Sequence, residues 1–334
     1  MLRLPSASRL AIARSHVYRS LAPTPQYAWP LLARRLGTEA WVKHENHTPI
    51  GAFKLRGGLV YFDSLMQGHL GSSNSGGGRP AGVITATRGN HGQSVAFAAR
   101  EAGLPATIVV PHGNSREKNA AMRALGAKLI EHGDDFQAAR EHAAAVADAQ
   151  GLHMVPSYHP DLVAGVASCW LEFFESVPGL QRVYVPIGMG SGAVAAVAAR
   201  GALRRRFDII GVVSAQAPAF ALSVSSGKPV EAPVTTTLAD GLACRKPDPD
   251  VVQILGSALA DVVQVDDEEI AAAMKMLYID THNVAEGAGA AALAAAIRQR
   301  DRIAGQVVGL TLSGGNVDHD LFARVLLDTP AEPA

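Results

Sequence analysis

From Ala81 onward the chain alternates short apolar runs with helix-periodic segments, and few folds tolerate that pattern. Residues 82–86, 106–110 and 128–131 read as strands, while 93–102, 115–125 and 136–149 read as helices. Neighbouring parallel strands cannot be joined by a hairpin, so each pair needs a crossover, and helices of this length supply it. The expectation is an α/β chain with parallel sheets wrapped by helices. A later apolar run, 183–199, holds Pro186 and several glycines, and it reads as strand, loop and helix rather than a membrane span. With 334 residues, 48% of them hydrophobic, the chain is long enough for two domains with cores of their own.

Ahead of that pattern, a strand at 40–42 enters a polar loop, and Thr48-Pro49-Ile50-Gly51 makes a turn. A helix is expected to start at Ala52 or Phe53, which places Lys54 near its positive end between Phe53 and Leu55. Helix charge and apolar neighbours both favour the neutral amine, the form a Schiff-base lysine needs. Taken alone, the same lysine could lie on the surface of an amphipathic helix.

Three loops carry further chemistry. Thr87-Arg88-Gly89-Asn90-His91-Gly92-Gln93 joins a strand to a helix, and backbone amides at such a junction suit a carboxylate. Gly188-Met189-Gly190-Ser191-Gly192 follows an apolar strand and opens an Ala-rich helix, a place where amides and helix dipole favour a phosphate. A dinucleotide site is the rival there, but it wants an acidic residue closing the next strand, which ends instead in Val212-Val213-Ser214. Ser313-Gly314-Gly315-Asn316 by itself is only a turn.

Together these segments resemble the fold-type II pyridoxal-phosphate (PLP) enzymes, in particular the serine/threonine dehydratases and the related serine racemase. That family writes Lys-x-Glu followed by Pro-Thr-Gly-Ser-Phe-Lys-x-Arg-Gly-Ala. The chain has Lys43 and Glu45, then Pro49 to Gly58, departing at Ile50, Ala52 and Gly58. The resemblance implies a tryptophan synthase β-like fold, two parallel-type α/β domains with PLP in the cleft between them. The large domain would be built from 1–81 and 156–334, and a small mobile domain from 82–155.

It also implies roles. Lys54 is the catalytic, cofactor-bearing lysine, with Phe53 packing on the ring and Asn90 bonding the phenolic oxygen. Gly188, Met189, Gly190, Ser191 and Gly192 hold the phosphate, although Met189 and Ser191 depart from the family's glycines. Thr87, Gly89 and His91 take the substrate carboxylate, and Gly241 lies near the ring. Glu286 falls in a weaker match, with glycine in place of the family's proline. Ser313 partners the pyridine nitrogen; a neutral hydroxyl makes the ring a shallower electron sink than an Asp partner would, which favours prompt β-elimination. Arg88 stands where the racemase has its second acid/base serine. A permanently charged guanidinium cannot shuttle protons, so racemisation is not expected, and Arg88 either grips a substrate carboxylate or points outward.

Composition narrows the rest. Thirty basic and thirty acidic residues leave no excess to argue for nucleic acid. Cys169 and Cys244 lack metal spacing and fit a reducing compartment. Residues 1–38 hold arginines at 3, 9, 14, 19, 34 and 35 and no acid, but helix signals begin near Ser8; residues 1–7 read as an extension of a cytoplasmic protein. The Gly/Ser-rich stretch 68–80 reads as a mobile surface insertion. His44, Glu45 and His47 are expected to hydrogen-bond rather than bind metal, and Ser214, Ala219 and Phe220 stand in place of the Glu and Asp with which the racemase group carries a cation, so none is expected there.

The expected activity is loss of water and then ammonia from a β-hydroxy-α-amino acid of the L-threonine or L-serine type, by a homodimer. Alternatives are a divergent substrate (3-hydroxyaspartate, 3-phenylserine, or an amino acid from hydroxyectoine breakdown) and a non-catalytic PLP- or amino-acid-binding module.

Overall fold

A computed structural model of the protein describes residues 4–70 and 79–328. Ten strands fall in order: β1 Gln26–Ala28, β2 Glu39–His44, β3 Val83–Ala86, β4 Ala106–Val110, β5 Lys128–Glu131, β6 His153–Met154, β7 Arg182–Pro186, β8 Asp208–Ser214, β9 Asp261–Val265 and β10 Val307–Leu312. They form a six-stranded sheet, β1-β2-β10-β7-β8-β9, and a four-stranded sheet, β5-β4-β3-β6. Every pairing is parallel except β1 with β2. The α/β architecture with parallel sheets expected from the sequence is the one observed.

The larger sheet is covered on both faces, which is why its inner strands read as unbroken apolar runs. Val183, Val185, Ile209 and Val213 face a core shared with helices Ala7–Val17, Lys54–Met66, Pro160–Ser176 and Ser191–Ala202. Tyr184, Ile210, Val212 and Leu310 face the opposite core, built with helices Asp267–Thr281 and Gly287–Arg298. Alternation along each strand sends neighbours to opposite cores.

Two boundaries differ from the sequence reading in ways that matter. Ala52 bridges Gly314 instead of opening a helix, so Lys54 is itself the first helical residue. The helix expected from Gln93 begins at Asn90, because the Gly89 carbonyl accepts from the Gln93 amide at 3.0 Å and starts the ladder early. The strands β1 and β6, three and two residues long, were too short to announce themselves by periodicity. Of the Gly/Ser-rich stretch, residues 71–78 lie outside the described residues.

Candidate active site

In a parallel sheet all strands end on the same edge, so the loops beyond adjacent strands become neighbours. The last strand, β10, inserts between β2 and β7. That order brings the turn after β10 beside the Lys54 turn on one side and the Gly-rich loop on the other. The Phe53 amide donates to the Ser313 carbonyl at 3.0 Å, and the Gly315 amide to the Gly51 carbonyl at 2.9 Å. Asn316 Nδ2 adds a bond to the Ile50 carbonyl at 2.8 Å. On the far side, a Cβ at Gly192 would stand 3.7 Å from the Phe53 ring. At Gly188 a Cβ would lie 2.2 Å from the Gly241 carbonyl oxygen, so only glycine fits that approach.

The smaller sheet supplies the facing wall. The loop after β3 carries Thr87 to His91, and the Thr87 hydroxyl accepts from the Gly89 amide at 3.0 Å. Ser94, one turn into the following helix, donates to the Lys54 carbonyl at 2.7 Å. Asn90 reaches across the cleft: its Nδ2 donates to Glu286 Oε1 at 2.6 Å, and its Oδ1 accepts from Asn316 at 2.8 Å. Glu286 is the N-cap residue of the helix Gly287–Arg298. Opposite it stands Lys118, from helix Arg116–Ala124, with its ammonium 2.8 Å from Asp240 Oδ2 and 3.2 Å from Glu286 Oε2.

Electrostatics follow from burial in this cleft. Burial pushes the Lys54 ammonium down to about 8, against the pull of the Glu286 carboxylate, so a sizeable neutral fraction exists near neutrality. Its Nζ lies 4.8 Å from the centre of the Phe53 ring. Burial, helped by the Lys54 charge, pushes the His91 imidazole down to about 3 and keeps it neutral. The buried Nε2 of His91 has no hydrogen-bond partner among the described residues. Desolvation also raises the Glu286 carboxyl, while Lys118 and the Asn90 bond oppose that rise. For Lys118 itself burial works downward, but Glu286 and Asp240 outweigh it and hold the ammonium above its usual range.

One pocket gathers Lys54, the loop from Thr87 to His91, Gly188, Met189 and Gly241. Arg88 lines it, is exposed, and has no ion-pair or hydrogen-bond partner among the described residues. Phe53, Gly190, Ser191, Gly192 and Ser313 are not on its wall; Phe53 and Ser313 are joined by the backbone bond given above, and Gly190, Ser191 and Gly192 continue the Gly-rich loop whose Gly188 and Met189 reach the pocket. Gly190 has φ +91°, a left-handed turn that releases the chain into the helix beginning at Ser191. Ser313 is buried, with its hydroxyl 3.4 Å from the Ala288 carbonyl.

Lys118 lines the same pocket and was missed by the sequence reading, as were Phe136 and Ser157. Nothing local marks Lys118: it sits on a short, polar helix like any solvated lysine. His44, Glu45 and His47 do hydrogen-bond, to Trp29, to Thr24 and Arg56, and to Asn283 respectively. Among the described residues no cluster of His, Cys, Asp and Glu is suited to a metal ion, and no helix is long and apolar enough to cross a membrane.

The fold and the cleft match known proteins. Residues 17–314 match the family described as pyridoxal-phosphate dependent enzyme. The L-threonine ammonia-lyase of Geobacter sulfurreducens is 38% identical over 291 residues, covering 86% of this chain and 69% of its own. The biosynthetic L-threonine dehydratase of Salmonella typhimurium is 32% identical over 311 residues; the match spans 92% of this chain but 59% of that enzyme. In three dimensions, maize serine racemase superimposes with a TM-score of 0.85 at 26% identity, covering 98% of each chain. The chain belongs to the fold-type II pyridoxal-phosphate dependent enzymes, in their serine/threonine dehydratase family.

Proposed function

We propose that this protein is a PLP-dependent ammonia-lyase that converts a β-hydroxy-α-amino acid, L-threonine or L-serine by default, to a 2-oxo acid and ammonia. The observation that carries the reading is Lys54 with its ammonium pushed down to about 8, facing the loop Thr87 to His91 across one pocket. The residues present fit pyridoxal phosphate. A glycine-only approach at Gly188 and the left-handed Gly190 open a loop at a helix N-terminus, where amides favour a phosphate. Ser313 offers a neutral hydroxyl for the pyridine nitrogen, and Asn90 an amide for the phenolic oxygen. When bound, the cofactor supplies the electron sink for the pair left at Cα.

The chain's own groups do the rest. Lys54 is the residue that would hold the cofactor, and its Nζ, as the free amine, would take the Cα proton. Backbone amides of Asn90 and His91, at the start of the helix, orient the substrate carboxylate, and the His91 imidazole, kept neutral, adds no charge beside it. The β-hydroxyl takes up one proton and leaves as water, a proton balanced by the one that Lys54 removes from Cα. The released enamine tautomerises to an imine and takes up one water, so substrate balances 2-oxo acid plus ammonia.

A second anionic group on the substrate, as in 3-hydroxyaspartate, is the alternative favoured by one observation: Arg88 lines the pocket without a partner among the described residues. An enlarged pocket for 3-phenylserine, a hydroxyectoine-derived substrate and a non-catalytic binding module have no such support. Residues 82–155 act as the small domain that closes on substrate, against a large domain of 1–81 and 156–334. A homodimer is carried over from the resemblance alone. Cytoplasm is the reading of location supported by two free, buried cysteines.

The test is 2-oxo acid release by PLP-saturated protein with L-threonine, L-serine, L-threo-3-hydroxyaspartate and L-threo-3-phenylserine. Turnover of threonine or serine is expected, and Lys54→Ala should abolish it. Preference for the aspartate analogue would assign Arg88 to a second carboxylate. Turnover by Lys54→Ala comparable to the parent would overturn the reading.

A further inference from the structure

We infer that Lys118 is a positioning residue for substrate binding, a cation that ties the carboxylate loop to Asp240 and Glu286 across the cleft. The inference rests on the functional reading above. Lys118 comes from the element that follows β4 in the smaller sheet, whereas both of its partners, Asp240 and Glu286, belong to segments that pack on the larger one. Its side chain is 7% exposed and that of Glu286 is 4% exposed, so neither charge has water to fall back on. The lysine stem lies directly under the loop: a Cβ at Gly89 would stand 2.4 Å from Lys118 Cδ. Any side chain at position 89 would therefore displace either the lysine stem or the loop. Glu286, paired by Lys118, accepts from Asn90, the next residue of that loop, at 2.6 Å.

Stem and ammonium thus act on adjacent residues. The stem supports Gly89 from below, and the ammonium opposes protonation of Glu286 and keeps it aimed at Asn90. Without the ammonium, two carboxylates, Asp240 and Glu286, face each other in a cleft of low polarity. Glu286 would then release Asn90 or take up a proton. The loop offering amides to the substrate carboxylate would lose its register, although the fold would not. Helix Arg116–Ala124 has a second set of anchors at its start, independent of Lys118. Ser115 donates to Asp318 Oδ1 at 2.5 Å, and the His319 amide donates to Glu117 Oε1 at 3.0 Å.

The test compares Lys118→Met, Glu286→Gln and the double variant as holoenzymes, after the parent has been shown to bind PLP and to turn over an amino acid of the panel. Lys118→Met should keep the absorbance of lysine-bound cofactor and raise KM roughly 10- to 100-fold, with kcat changed by less than about threefold. In the double variant the neutral amide that replaces the Glu286 carboxylate still accepts from Asn90 and no longer repels Asp240. Its KM should therefore lie closer to the parent's than that of Lys118→Met, a recovery that simple loss of stability would not give. Unchanged KM in Lys118→Met overturns the inference, as does a double variant whose losses simply multiply. A parent that binds no PLP, or turns over nothing, overturns the functional reading and the inference with it.

Discussion

Two charge clusters border the segment around Lys54, and they differ in how completely they are paired. The first joins Lys43, Glu45, Arg56 and Glu172, two cations against two carboxylates, with side chains between 0% and 5% exposed. Every carboxylate oxygen in it has a donor. Arg56 Nε binds Glu45 Oε2 at 2.7 Å, and Thr24 binds Glu45 Oε1 at 2.6 Å. Arg56 Nη1 reaches Glu172 Oε1 at 2.5 Å, and Lys43 reaches Glu172 Oε2 at 2.5 Å. The second cluster, Lys118 with Asp240 and Glu286, has one cation for two carboxylates and opens onto the pocket; Lys54 fronts the surplus negative charge. Here Glu286 Oε2 has the Lys118 ammonium alone, at 3.2 Å, and His91 Nε2 lacks a hydrogen-bond partner among the described residues. A saturated network fixes the helix that carries Lys54, while the unsaturated one leaves polar groups to meet a ligand.

The largest contrast should come from substituting Lys54 and Arg56 in turn. Lys54→Ala removes activity but releases no buried partner, so chemical denaturation should show stability within about 1 kcal/mol of the parent. Arg56→Met strands Glu45 and Glu172 and should cost roughly 3–5 kcal/mol in the same measurement. Equal losses of stability would erase the distinction between scaffold and site.

A smaller effect concerns pH. Cofactor capture by the apo-protein needs the neutral Lys54 amine. Below about pH 8 the capture rate should rise about tenfold per pH unit, then level off above it. Since the Glu286 carboxylate is the group holding the ammonium up, Glu286→Gln should move the plateau to lower pH. Stopped-flow absorbance after mixing with PLP reads both, and a plateau that moves upward would contradict the assigned sign.

Within the closed network, Thr24→Val removes a hydroxyl that donates to Glu45 and accepts from Arg56 at 3.2 Å. The remaining charges keep one another, so the cost should be about 1–2 kcal/mol by thermal or chemical denaturation, well below that of Arg56→Met. A loss as large as the arginine's would mean that the cluster is less redundant than its bonds indicate.

The sequence by itself determined what local chemistry and periodicity can express. Alternating strands and helices forced parallel sheets, because crossovers of that length permit little else. Lys54 stood out through its turn and its apolar neighbours, and the Gly188–Gly192 loop through the strand and helix on either side of it. The turn at Ser313 acquired meaning only beside the other two. Tertiary structure decided the remainder. Inserting β10 between β2 and β7 made three distant loops adjacent, an order of strands that no local pattern encodes. Lys118, Asp240 and Glu286 come from three separate elements; Asp240 and Glu286 fall in segments that resemble the family's, Lys118 reads as an ordinary surface charge, and only the fold brings the three together at the cleft. Burial also decided the protonation of Lys54 and His91, since a pKa depends on the surroundings of a charge and those are set by residues remote in the chain.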